Sequence, residues 1–225
     1  MTAKIPATVI TGFLGAGKTT LIQHLLRHAN GRRLALVINE FGEIGVDGEI
    51  LRGCGIPACK EEDIVELANG CICCTVADDF LPTMEKLLGR AAPPDHIVIE
   101  TSGLALPKPL VQAFNWPEVR TRVTVDGVIA VVDGPAAAAG LFAADPQAVA
   151  AQRAADPSVE HDSPLGELFE DQLGCADLVV LNKVDQLDAI TRAQAVAAIH
   201  AGSARPVKLL AARYGAIDPA VLLGL

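Results

Sequence analysis

The 225 residues include 18 Lys and Arg against 27 Asp and Glu, a formal net charge of −9 with a pI near 5.0, which excludes a surface that tracks nucleic acid or an anionic membrane. With 51% hydrophobic but only 4% aromatic residues the chain is neither disordered nor an aromatic stacking platform, and its length fits one large domain, residues 1–225. Six cysteines are too few for a disulfide scaffold, and three of them crowd into Cys71-Ile72-Cys73-Cys74, which points to metal or redox chemistry in a reducing, cytoplasmic setting.

The first apolar run, Ala7-Thr8-Val9-Ile10, reads as a strand buried on both faces. Residues 5–17 imitate the apolar part of a signal peptide. They hold three glycines, however, and run into Lys18-Thr19-Thr20 without a small-residue cleavage pattern, so they are read as folded structure. Gly12-Phe13-Leu14-Gly15-Ala16-Gly17-Lys18-Thr19 fits G-x-x-x-x-G-K-[ST], and the helix after it is marked by Leu21, Ile22, Leu25 and Leu26 at helical spacing. Strand, loop and helix in register form the context in which this pattern binds phosphate. The glycines let backbone N–H groups and the helix N-terminus point at one β-phosphate, Lys18 reaches the β- and γ-phosphates, and the Thr19 hydroxyl is placed to ligate Mg²⁺. Gly12, Gly15, Ala16, Gly17, Lys18, Thr19 and Thr20 are the expected phosphate contacts.

Residues 34–38 give a second strand, and Asn39-Glu40-Phe41-Gly42 to Asp47 is expected to be a switch ordered by Mg²⁺ and the γ-phosphate. Glu40 is a candidate metal ligand and, with Glu43, a candidate for positioning the hydrolytic water. Cys54 and Cys59 lie in a loop, where a second or shared thiol site is conceivable. Cys71, Cys73 and Cys74 place three thiolates within four residues. They can close on one soft or borderline cation and fall one ligand short of a tetrahedron, an openness that suits delivery more than storage. A thiol-exchange pair, since Cys71 and Cys74 also form C-x-x-C, and buried packing are the alternatives. A helix is expected from near Val76, with helical spacing again over residues 81–88.

The third strand, residues 96–99, ends in Glu100-Thr101-Ser102-Gly103. Glu100 can hold Mg²⁺ through water, and the Gly103 N–H can reach the γ-phosphate; many GTPases carry Asp where Glu100 stands. A fourth strand, residues 128–132, stops at Asp133-Gly134-Pro135, far short of the roughly 20 residues of a membrane span. Residues 134–156, rich in Ala with Pro135 and Pro146, read as a surface excursion with a helix inside it. Cys175, between Gly174 and Ala176, reads as core. Residues 178–181 form a strand followed by Asn182-Lys183-Val184-Asp185. The Asp185 carboxylate can accept from guanine N1–H and N2–H₂ together, whereas adenine offers no such donor pair, so GTP is favoured over ATP. Residues 190–199 (helix) and 207–210 (strand) complete the alternation. It implies an α/β fold of the P-loop NTPase type, a mostly parallel sheet flanked by helices on both faces.

The phosphate loop, Asn39-Glu40-Phe41-Gly42-Glu43, Gly70-Cys71-Ile72-Cys73-Cys74-Thr75, Glu100-Thr101-Ser102-Gly103-Leu104-Ala105 and Asn182-Lys183-Val184-Asp185 together resemble the CobW-type P-loop GTPases. These are metallochaperone relatives of the nickel-inserting GTPases of urease and hydrogenase maturation. The resemblance runs over residues 5–225, and in residues 66–79, 104–109, 123–133 and 165–173 it is to the cobalamin-pathway branch rather than only to the zinc-linked one. It implies that Mg²⁺ and GTP help form a tight Co²⁺ site at Cys71, Cys73 and Cys74, and that hydrolysis to GDP releases the ion to cobaltochelatase. Zn²⁺ is the alternative cargo, since thiolates favour it over Co²⁺ by the Irving–Williams order. A nucleotide-dependent homodimer is a further expected partner. Family members usually continue into a histidine-rich segment and a C-terminal CobW domain, so the 225 residues are expected to be the GTPase domain alone. A regulatory GTP-binding switch with structural cysteines and a P-loop kinase are rival readings, and Asp185 argues against the kinase.

Overall fold

β-Branched and aliphatic runs become seven strands in a computed structural model that describes residues 3–39, 64–66, 72–155 and 164–224. They are β1 (Ile5–Thr11), β2 (Leu34–Asn39), β3 (Ile64–Glu66), β4 (His96–Thr101), β5 (Val123–Asp133), β6 (Leu178–Asn182) and β7 (Lys208–Ala211). They pair in the order β3-β2-β4-β1-β5-β6-β7, every neighbouring pair parallel. The helices of the described residues are α1 (Lys18–Arg27), α2 (Ile72–Leu88), α3 (Pro107–Ala113), α4 (Pro117–Arg120), α5 (Gly134–Ala138), α6 (Pro146–Ala155), α7 (Leu165–Cys175), α8 (Ala189–Gly202) and α9 (Pro219–Leu222).

β4 and β6 are buried at every position, which is why they read as unbroken apolar runs rather than alternating ones. Alternate residues serve opposite layers. Ile10, Val98, Ile129, Val131 and Val180 pack with Leu21, Ile22, Leu25 and Leu26 of α1 and with Leu222 of α9. On the other face, Val9, Val37, Ile97 and Ile99 meet Phe80, Met84 and Leu87 of α2, while Ala130, Val132, Val179 and Leu181 meet Leu168, Leu173, Ala195 and Ile199 of α7 and α8. The expected doubly covered parallel sheet is the one observed.

Four local expectations change. The helix expected from near Val76 begins at Ile72 and runs unbroken to Leu88 with Pro82 inside it, because Ile, Cys and Thr at its start are weak helix formers that give no pattern to read. β5 begins at Val123 rather than Val128: Ala7 pairs with Val125 and Thr8 with Gly127, so Asp126 is an extra residue in a bulge that breaks the apolar run. The Ala-rich excursion holds two helices, α5 and α6, the first capped by the Asp133 carboxylate accepting the Ala136 N–H at 3.0 Å. β3, only three residues long, and the proline-opened α3 and α4 had no clear signal. Among the described residues no helix is long and apolar enough to cross a membrane.

Candidate functional site

β1 lies between β4 and β5 at the centre of the sheet, so the loop leaving its carboxyl end opens where the chain switches from one half of the sheet to the other. Open parallel sheets bind ligands at such a crevice. Gly12 (φ 140°) and Gly17 (φ 100°) hold left-handed backbone there, and neither has room for a side chain: a Cβ would collide with the Val131 carbonyl at Gly12 and with the Asn182 amide at Gly17. The loop can therefore lie close against β5 and β6.

Lys18 is buried, its Nζ donating to the Gly12 carbonyl at 2.9 Å and lying 3.5 Å from that of Phe13, so the ammonium is held inside the ring of the loop. The Thr19 hydroxyl lies 3.4 Å from Oε1 of Glu100, which is buried at the end of β4. A hydroxyl and a carboxylate at one spot beside a phosphate loop are hard oxygen donors of the kind Mg²⁺ takes, and they fit that ion. Gly103 follows on the same loop and presses against Leu14.

Asn182, Lys183 and Asp185, the residues expected to meet the base, line the same crevice. The Asn182 side chain donates to the Ala16 carbonyl at 3.0 Å and accepts the Gly215 N–H at 3.1 Å, joining the phosphate loop to the turn after β7. Lys183 (φ 60°) turns back so that its Nζ meets Asp133 Oδ2 at 2.5 Å. Asp185 is exposed on the wall of a cavity of about 400 Å³ that also takes in Gly15, Gly17, Lys18, Thr19 and Thr20. Of the residues read from sequence, Gly15, Gly17, Lys18, Thr19, Thr20, Asn182, Lys183 and Asp185 border one space, while Gly12, Ala16, Glu100 and Gly103 are not on its wall.

Two contributors had no motif. Tyr214, exposed and with φ 53°, lines the same cavity from the turn after β7, and Asp133 anchors Lys183. Gly215 was the available signal for the turn: its φ is 64°, and a Cβ on it would lie 2.6 Å from the Leu21 backbone.

Of the expected switch only Asn39, the last residue of β2, is described; residues 40–47, including Glu40 and Glu43, and Cys54, Cys59 and Cys71 lie outside the described residues. The backbone of α2 carries Cys73 and Cys74 in its first turn, and their side chains are likewise outside the description. Register sets Glu66, the last residue of β3, level with Glu100: Ile38 of β2 pairs with Glu66 on one side and with Glu100 on the other. Cys175, the last residue of α7, is half-buried against the α2 side of the core, and burial pushes its thiol pKa up, as befits an inert packing cysteine.

Residues 6–207 match the family model described as CobW/HypB/UreG, nucleotide-binding domain. The chain is 60% identical over 222 residues to the zinc chaperone CobW of a Sinorhizobium species, covering 99% of this chain and 63% of that protein. It is 34% identical to the zinc chaperone YjiA of Escherichia coli, over 80% of this chain and 50% of that protein. The crystal structure of Zn(II)-bound YjiA GTPase from E. coli is similar with a TM-score of 0.61 at 25% identity, covering 99% of this chain and 62% of that one. The chain therefore spans less than two thirds of the length of these relatives.

Proposed function

The chain belongs to the CobW/HypB/UreG nucleotide-binding family, and from that premise we propose that it is a GTPase that couples hydrolysis to delivery of a divalent transition-metal ion. One observation carries the nucleotide half: a single cavity has the phosphate loop, Lys18 and Thr19 at one end and Asp185 at the other. The loop amides and the α1 N-terminus hold the β-phosphate, Lys18 supplies positive charge, and Asp185 accepts the guanine N–H pair. Bound Mg²⁺, held by Thr19 and through water by Glu100, supplies neutralisation of the phosphate charge. Water then adds to the γ-phosphorus as the bond to the bridging oxygen breaks, leaving GDP and phosphate. Glu43 is the group proposed to orient that water, which leaves Glu40 to the cargo. With the rest of the work done by positioning and charge, unassisted turnover is slow.

The cargo is assigned to Cys71, Cys73 and Cys74, with Glu40 as a fourth donor. Zn²⁺ is the first choice, supported by the intrinsic preference of thiolates and by the names of the relatives. Co²⁺ delivered to cobaltochelatase is the second, supported by the resemblance of residues 66–79, 104–109, 123–133 and 165–173 to the cobalamin-pathway branch. Delivery is proposed in the cytoplasm, with a GTP-dependent homodimer as the loaded form.

Phosphate release from GTP and ATP, with metal binding measured alongside, tests the reading. The wild-type chain should turn over GTP in strong preference to ATP. Cys71→Ser, Cys73→Ser and Cys74→Ser together should keep nucleotide binding and lose the metal. Equal turnover of GTP and ATP contradicts the guanine assignment, and undiminished metal binding in the triple variant contradicts the cargo site.

A further inference from the structure

We propose that Gln172 is a positioning residue for the γ-phosphate contact: it holds Gly103 by its carbonyl and so fixes where the N–H of the same residue, one peptide group earlier, meets a bound triphosphate. The inference rests on the reading of this cavity as a GTP site. Gln172 is buried on α7, on a helix face otherwise made of Leu168, Phe169 and Leu173. Its Nε2 donates to the Gly103 carbonyl at 3.1 Å, a contact between residues 69 positions apart. An amide buried in such surroundings costs stability unless it is bonded, and Gly103 provides the bond.

Gly103 is constrained from its other side as well. A Cβ there would stand 2.8 Å from the Leu14 N, so its backbone is wedged between the phosphate loop and α7. The same helix also holds the loop, because Phe169 packs against Phe13 at 6.3 Å and against Phe142 at 5.3 Å between ring centroids. Loop and Gly103 are thus referred to one rigid element. A glycine free to shift when the γ-phosphate leaves is the usual basis of a GTPase switch. Here Gln172 sets the position from which it shifts.

The test compares affinities for a non-hydrolysable GTP analogue and for GDP, by calorimetry with Mg²⁺, in the wild-type chain, Gln172→Leu, Gln172→Asn and the same-helix control Leu168→Val. Removing one buried hydrogen bond should weaken the analogue about three- to tenfold relative to GDP in both Gln172 variants. Gln172→Asn, which keeps a polar side chain but shortens its reach, covers the case in which Gln172→Leu does not fold. Leu168→Val should lower the melting temperature and leave the ratio of affinities unchanged. An unchanged ratio in a folded Gln172 variant, or an equal change in Leu168→Val, overturns the inference and leaves the GTP reading standing. A wild-type chain that binds neither nucleotide overturns both.

Discussion

Asn182 divides its side-chain amide between two loops, the phosphate loop through Ala16 and the turn after β7 through Gly215. Asn182→Ala leaves a buried carbonyl and a buried N–H unpaired, so it should cost about 2–3 kcal/mol in urea denaturation and lower GTP affinity at least tenfold by calorimetry. Asp185, by contrast, is exposed and carries no such structural duty. Asp185→Asn should leave stability within about 0.5 kcal/mol while weakening GTP roughly 10- to 100-fold, because it exchanges a charged acceptor for an amide. His96 sets a pH dependence of its own. It is buried beside Thr8, whose Oγ1 lies 2.8 Å from its Nε2, and burial pushes its pKa down to about 4, against a smaller opposing pull from Asp126. Below pH 6.5 the unfolded chain binds a proton that the folded chain refuses, so stability is full above 6.5 and falls as pH drops toward 4. The loss attributable to His96 approaches about 3 kcal/mol, and the difference between wild type and His96→Asn in urea melts at pH 7, 6 and 5 should trace it. At this scale, residues that nucleotide binding demands in a fixed spacing, Gly12 to Thr19 for the phosphates and Asn182 to Asp185 for the base, were legible in the sequence. Tyr214, Asp133 and Gln172 were not, because each acts on a partner brought near only by the sheet.

Among the elements, α2 joins the cysteine region to the core. Phe80 is fully buried there, edge-on to Phe114 at 5.1 Å and to Trp116 at 6.1 Å. Phe80→Ala should cost about 3–5 kcal/mol, read by chemical denaturation. Pro82, exposed two residues on, has no N–H to continue the helix. Pro82→Ala restores the hydrogen bond to the preceding turn at the expense of a looser unfolded chain, for a net gain of about 1–2 kcal/mol and a higher melting temperature. Strands buried on both faces announced themselves as apolar runs. The elements that escaped were those whose existence depends on a neighbour: β3 on its pairing with β2, the first half of β5 on a bulge against β1, α3 and α4 on docking against α2, α7 on packing over β5 and β6, and α9 on packing beside α1.

For the whole molecule, register sets the ends of β3 and β4 level across β2. Glu100 lies one residue before the end of β4 beside β2, and β3 ends at Glu66 on the other side of β2, five residues before Cys71 in the sequence. Under the proposed function, ordering of residues 39–47 by the γ-phosphate is what would couple metal affinity to the nucleotide. Coupling between two sites is reciprocal and amounts to roughly 5- to 150-fold in affinity where it has been measured in other proteins. The most direct test is a Zn²⁺ competition titration of the chain under saturating Mg²⁺ with GDP or with a non-hydrolysable GTP analogue. The account predicts Zn²⁺ binding at least tenfold tighter with the GTP analogue, and the same affinity in both nucleotide states would contradict it.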